Sequence, residues 1–312
     1  MFNKINFFDN KPLKHKFNRP TDSNKYGFNL FTVAAFIGGM NSGKSTAMIN
    51  LAKYFEDNKL ITEIILVSPT IYSNGWNELK ILDENKYDLN EINIDETLTY
   101  LMDYMKIKTQ QWQDTRNNMT EEEYNTHYKK IYKIYKKYLR SGDNNKIIRF
   151  EDDEDEEHKD HLNAMDFEML EDNNLESKAY YYKHGPSFLL IFDDILGSGV
   201  ISNKKTNLLN KIIANHRHLR ANIFLALQSY TNGIPKNIRR IIKMFIIFKY
   251  SDTSEIKNFY QEIGSSIFSS FEEFELIYRE ITEDSHNFIL IDLDPKSSNL
   301  KIRKNFNEIL NY

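Results

Sequence analysis

Residues 34–55 read AAFIGGMNSGKSTAMINLAKYF. The stretch runs from an apolar, strand-like segment through a glycine-rich turn into a helical pattern. Gly38, Gly39, Met40, Asn41, Ser42, Gly43, Lys44 and Ser45 fit the spacing G-x-x-x-x-G-K-[ST], and Thr46 follows at once. Upstream, FTVAAFIGG is apolar enough for a parallel strand buried on both faces. Downstream, Met48, Leu51, Ala52 and Phe55 share one helical face. Glycines let such a turn aim successive N–H groups at a phosphate, and the helix N-terminus adds positive potential there. Lys44 would bridge the β- and γ-phosphates of ATP, and the Ser45 hydroxyl would ligate Mg2+.

A second apolar run, PSFLLIFDDIL at 186–196, ends in Asp193 and Asp194. In an open α/β sheet, acids at the C-terminal end of a buried strand face the ligand crevice. Asp193 would orient Mg2+, directly or through its water, and Asp194 would position and activate an attacking water. One of the two could instead cap the turn that follows. A third run, ANIFLALQS at 221–229, carries Gln228 at its tip. Beside the Asp193 strand, that amide could hydrogen-bond the γ-phosphate or the lytic water. Before it, LLNKIIANHRHLRAN reads as a helix with Leu208, Leu209, Ile212 and Ile213 buried and His216, Arg217, His218 and Arg220 at its end. Cations suit a helix C-terminus. Alternatively, Arg217 or Arg220 reaches a phosphate in this subunit or the next, as an arginine finger does.

The wider composition is permissive. The chain has 312 residues, enough for one large α/β domain or two smaller ones, and 40% of them are apolar. It has no cysteine, which removes disulfides and thiolate metal sites. No run approaches the length of a membrane span, and the first twenty residues lack the apolar core of a signal peptide. A formal net charge of −4 points to no partner and leaves DNA open, because charge can be segregated.

Taken together, GGMNSGKS, LLIFDD, NHRHLRANIFLALQS and GIPKNIRR resemble the genome-packaging ATPases of large double-stranded DNA viruses. These are the poxvirus-type packaging proteins within the FtsK–HerA superfamily. ILVSPTIYSNGW at 65–76 is similar to the family's second strand, and NFILIDLDP at 287–295 to its late strand. The resemblance covers most of 28–302 and is weakest near 100–185. It implies that Lys44 and Ser45 hold phosphate and magnesium, that Asp193 is the magnesium-associated acid, and that Asp194 is the catalytic acid. Many relatives outside the viral branch have glutamate at the last position. It further implies Gln228 as sensor, and Arg217 or Arg220, ahead of Arg239, as finger. The expected assembly is a homo-oligomeric ring of five or six subunits that threads double-stranded DNA into a preformed capsid. It would act with packaging-vertex components, in the host cytoplasm (the virus factory) or the virion. Other motors of the superfamily, a helicase, or a nucleotide-controlled assembly scaffold are the competing readings.

The coarse order predicts a RecA-like phosphate-loop fold, a mostly parallel sheet flanked by helices. Strands are expected at 31–38, 63–69, 187–192, 222–228, 241–249 and 287–293, and helices at 44–57, 203–216, 253–262 and 270–280. An N-terminal arm (1–27) precedes a domain over 28–302, and a basic tail (303–312) follows it. An insertion at about 94–185 holds two helices, LTYLMDYMKIKTQQW and EEEYNTHYKKIYKIYKKYLR. The second has a tyrosine-rich stripe and a flank of lysines, which reads as a solvated face or as a DNA-facing one. The acidic block 151–157 repels itself and is no duplex-DNA contact; it could instead cover the basic helix.

Overall fold

The computed structural model describes residues 28–58, 60–72, 75–120, 122–123, 126, 185–195, 207–231, 235–250 and 252–310. The N-terminal arm, most of the second insertion helix, the acidic block and the start of the helix expected at 203–216 lie outside these residues.

Six strands are parallel. They are β1 (Val33–Ile37), β2 (Glu63–Ser68), β3 (Lys86–Asp88), β4 (Phe188–Phe192), β5 (Ala221–Leu227) and β6 (Met244–Phe248). Three more, β7 (Phe288–Asp292), β8 (Ile302–Lys304) and β9 (Glu308–Ile309), continue the sheet antiparallel. The order across the sheet is β3-β2-β4-β5-β1-β6-β7-β8-β9. The helices are α1 (Lys44–Asp57), α2 (Ile94–Asn117), α3 (Leu208–Asn215), the short α4 (Lys236–Arg239), α5 (Thr253–Glu262) and α6 (Phe271–Ile281). This mostly parallel sheet with helices on both sides is the RecA-like phosphate-loop fold that the alternation of elements predicts.

Strand β1 explains why both faces must be covered. All five of its residues are buried. Val33, Ala35 and Ile37 join a core with Leu98, Leu101 and Met105 of α2, Leu209 and Ile212 of α3, Phe259 of α5 and Phe274 of α6. Ala34 and Phe36 point the other way, into a core with Met48, Leu51, Ala52 and Phe55 of α1. The alternation is the two-residue period of a strand, and the α1 stripe is the one its spacing predicts.

Two boundaries differ from expectation. The strand expected over 241–249 begins only at Met244, because Ile241 N–H still donates to the Ile238 carbonyl at 2.8 Å in the turn after α4. Residues 303–304 and 308–309 are strand rather than tail, and Arg303 is 1% exposed. Its guanidinium lies 4.7 Å from the Phe28 ring centroid and donates to the Leu300 carbonyl at 3.0 Å and the Phe306 carbonyl at 3.5 Å. A cation that reads as solvated in the sequence therefore staples the last two strands to the domain.

Candidate functional site: a phosphate loop, two acids and an amide

The order of the central strands sets the site. Strand β5 lies between β1, which carries the phosphate loop, and β4, which carries the acids. All three are parallel, so their C-terminal ends open on the same crevice.

The loop leaves β1 under tight constraint. Gly38 N–H donates to the Leu227 carbonyl of β5 at 3.0 Å. A Cβ on Gly38 would come within 2.6 Å of Ser42 Oγ and 2.8 Å of Phe248 Cβ. Asn41 and Gly43 adopt positive φ, 58° and 99°, which turns the chain back into α1. No side chain caps α1 and no acid sits in its first turn, so its leading N–H groups and positive end remain available to an anion. Lys44 Nζ donates to the carbonyls of Gly38 at 2.9 Å and Gly39 at 2.6 Å. Burial lowers the Lys44 pKa, while Asp193 and Asp194 pull it upward. Met40 on the loop and Thr46 in the first turn of α1 are exposed.

Ser45 Oγ donates to Asp193 Oδ2 at 3.0 Å, and Asp193 is 3% exposed. A hydroxyl and a carboxylate held side by side are hard oxygen donors, the set that suits Mg2+. Asp194 is exposed and has φ 49°, a left-handed conformation that Asp tolerates better than most residues. Its Oδ1 accepts from Gln228 Nε2 at 3.0 Å. The structure thus brings Lys44, Ser45, Asp193, Asp194 and Gln228 to one end of the sheet.

The arginines lie elsewhere. Arg217 and Arg220 precede β5, at the opposite end of the sheet from the loop. The seven residues of β5 put roughly 20 Å between them and the phosphates of their own subunit. Arg220 is moreover buried. Its Nε donates to the Pro186 carbonyl at 2.6 Å, and its guanidinium sits 4.9 Å and 4.7 Å from the Phe31 and Trp112 ring centroids. This corrects the expectation that Arg220 reaches a phosphate, since its donors and cation–π faces are engaged inside the fold. Arg217 is exposed. Arg239 is held by Glu262 through two bonds of 2.8 Å and by the Thr231 carbonyl at 3.2 Å.

Three residues behind Gln228 escape sequence reasoning. Tyr250 Oη donates to the Gln228 carbonyl at 2.6 Å. Glu255 accepts from Ser229 Oγ at 2.9 Å, from the N–H groups of Tyr230 at 2.6 Å and Thr231 at 3.2 Å, and from Thr231 Oγ1. Burial would raise the Glu255 pKa, but these hydrogen bonds outweigh it and hold the carboxyl below its ordinary range. Glu262 accepts from both Arg239 and Tyr230 Oη. The D-x-x-E spacing of Asp252 and Glu255 reads as a helix cap, which hides the reach of Glu255 to a distant loop.

No family model matches the chain, and no curated protein matches it. Solved structures do. One is the genome packaging NTPase B204 from Sulfolobus turreted icosahedral virus 2 in complex with AMPPCP, at 13% identity and TM-score 0.46, over 90% of this chain and 99% of that one. Its complex with ATP-gammaS aligns at 14% identity and TM-score 0.42, over 89% and 98%. The pCW3 conjugation coupling protein TcpA aligns at 10% identity and TM-score 0.45, over 92% and 64%. Among the described residues, no helix is long and apolar enough to cross a membrane.

Proposed function

We propose that this chain is an Mg2+-dependent ATPase that moves double-stranded DNA, and that it packages a viral genome into a preformed capsid. The observation that carries the chemistry is the insertion of β5 between β1 and β4, which sets Gln228 against Asp194 beside the phosphate loop. Lys44 exchanges its bonds to Gly38 and Gly39 for the β- and γ-phosphate oxygens. Ser45 and Asp193 would hold Mg2+, whose charge offsets that of the phosphates. Asp194 accepts the proton of the attacking water and orients it, and Gln228 bridges that acid to the γ-phosphate. Phosphate departure would break the Gln228 bridge, and the loop from Gln228 to Thr231 is clamped by Tyr250, just after β6, and by Glu255 of α5, so the change has a route into the fold.

The subunits would form a ring with duplex DNA in its pore, docked at a capsid vertex in the host cytoplasm or on the virion. Arg217 is exposed and lies at the far end of β5 from the phosphate loop, so a finger from this element would act across the ring. The resemblance of NHRHLRANIFLALQS and GIPKNIRR, rather than the phosphate loop or the acids, supports the packaging reading over other DNA motors.

The test is phosphate release from ATP by the purified chain, with and without duplex DNA. The expected result is Mg2+-dependent release that DNA stimulates and that Lys44→Ala abolishes. Release indifferent to DNA would favour a nucleotide-controlled assembly protein, and release that survives Lys44→Ala would overturn the site.

A further inference from the structure

Beside the phosphate loop opens a cavity of about 930 Å3. One wall is α1, through Asn50, Leu51 and Tyr54, which recur at helical spacing on one stripe. The opposite wall is the turn between β8 and β9, Asn305, Phe306 and Asn307, the segment that reads as a tail in the sequence. The cavity is continuous with loop residues Asn41 to Thr46, so a nucleotide held there by its phosphates has this space for its other end.

Apart from Lys44 and His286 beside the phosphate loop, the lining is uncharged, aromatic and rich in amides. Phe28 and Tyr54 meet edge to face at 5.9 Å, and Phe306 packs against Phe288 at 4.9 Å. Asn305 donates to Asn287 Oδ1 at 3.1 Å and accepts from Phe288 N–H at 3.2 Å, which braces the turn at its own positive φ of 55°. Asn50, on α1, and Asn307, on the β8–β9 turn, both line this space with exposed side chains and make no hydrogen bond with a described residue. A carboxamide pairs in two places with the N6 and N7 edge of adenine. Guanine presents N1–H and N2–H donors whose strongest partner is a carboxylate, and no carboxylate among the described residues lines the cavity.

The geometry points to a nucleoside-specificity site built by α1 and the β8–β9 turn, in which Asn50 and Asn307 select adenine over guanine and the aromatic rings hold the base. This rests on the reading of the phosphate loop as a triphosphate site, and the experiment separates the two. Calorimetric titration of the full chain with ADP, GDP, CDP and inorganic triphosphate is expected to give ADP at least about ten times tighter than GDP or CDP, the size of one good bidentate contact. Asn307→Ala, at an exposed position, is expected to narrow the gap between ADP and GDP to under about threefold and to leave the triphosphate Kd and the melting temperature unchanged. Equal affinities for the three diphosphates, or a gap untouched by Asn50→Ala and Asn307→Ala combined, would overturn the specificity site alone. Triphosphate binding that is absent, or indifferent to Lys44→Ala, would overturn the phosphate site beneath it.

Discussion

At the scale of single residues, the site separates binding from chemistry. On the proposed reading, Lys44 and the loop hold the phosphate charge, whereas Asp194 positions the water. Asp194→Asn keeps an oxygen for the Gln228 amide, whose nitrogen sits 3.0 Å from Oδ1, but removes the carboxylate that the proposed reading assigns to taking the water's proton. Hydrolysis is therefore expected to fall by about 10²–10⁴-fold in steady-state phosphate release, with nucleotide affinity little changed. Gly38→Ala should fail in the opposite way. Its Cβ would sit 2.8 Å from Phe248 Cβ, an atom fixed to the backbone of β6, so the loop must shift. Nucleotide titration is expected to show affinity at least about tenfold weaker, because the N–H groups that aim at phosphate move with the loop. The gathering of Lys44, Ser45, Asp193 and Asp194 at one end of the sheet was legible in the sequence, because short-range spacing and strand-end position define where they fall. Glu255 and Tyr250 were not, since each acts on residues more than twenty positions away through a contact that no local pattern records. Arg220 misled for a related reason: its place at the end of a basic segment suggests exposure, and only the tertiary fold puts it between Phe31 and Trp112.

At the scale of elements, two buried or half-buried ionic groups test how β2 and the sensor loop are held. Glu63 at the head of β2 accepts from Tyr104 Oη of α2 at 2.8 Å. Burial raises the Glu63 pKa, and the Tyr104 bond only partly opposes it. A carboxyl raised in the folded chain binds its proton more tightly there than in the unfolded chain. Its contribution is thus present below the unfolded pKa and is lost as pH rises through the folded one. At neutral pH the ionised form costs stability, so Glu63→Gln, which still accepts from Tyr104, is expected to melt on the order of 2 °C higher at pH 7 and to lose that advantage in acid. Arg239 makes the converse case. Its two bonds to Glu262 and its place 5.1 Å from the Tyr230 ring centroid tie α4 and α5 to the loop after Gln228. Arg239→Ala is expected to cost about 2 kcal/mol in denaturant unfolding, discounted because Glu262 keeps partial solvent access, whereas exposed Arg240→Ala should cost less than about 0.5 kcal/mol. Helices α5 and α6 and the strands around them were readable from hydrophobic period and Asp or Ser caps. The short β8 and β9 were not, because two or three residues carry no period and their anchor, Arg303, has the composition of a surface.

At the scale of the whole molecule, the sheet has a polarity that constrains any assembly. Nucleotide groups gather at the C-terminal ends of β1, β4 and β5, and the basic segment with Arg217 gathers at the N-terminal end of β5. A ring with head-to-tail contacts brings unlike faces of successive subunits together, so the far end of one sheet can face the nucleotide of the next. Arg217 is exposed and roughly 20 Å from its own phosphate loop, which makes a test in mixed rings decisive. Lys44→Ala subunits lack a working phosphate site, and Arg217→Ala subunits lack only the cation. If Arg217 serves the next subunit, each variant alone hydrolyses little, by about 10³-fold less for the finger variant. Mixing the two regenerates activity where a Lys44→Ala subunit, still carrying Arg217, lies beside an intact phosphate site. The expected profile is phosphate release that rises to a maximum near equal proportions of the two variants in the presence of duplex DNA. Activity that simply averages the two pure populations at every ratio would assign Arg217 to the surface and leave the transition state without a cation from this element.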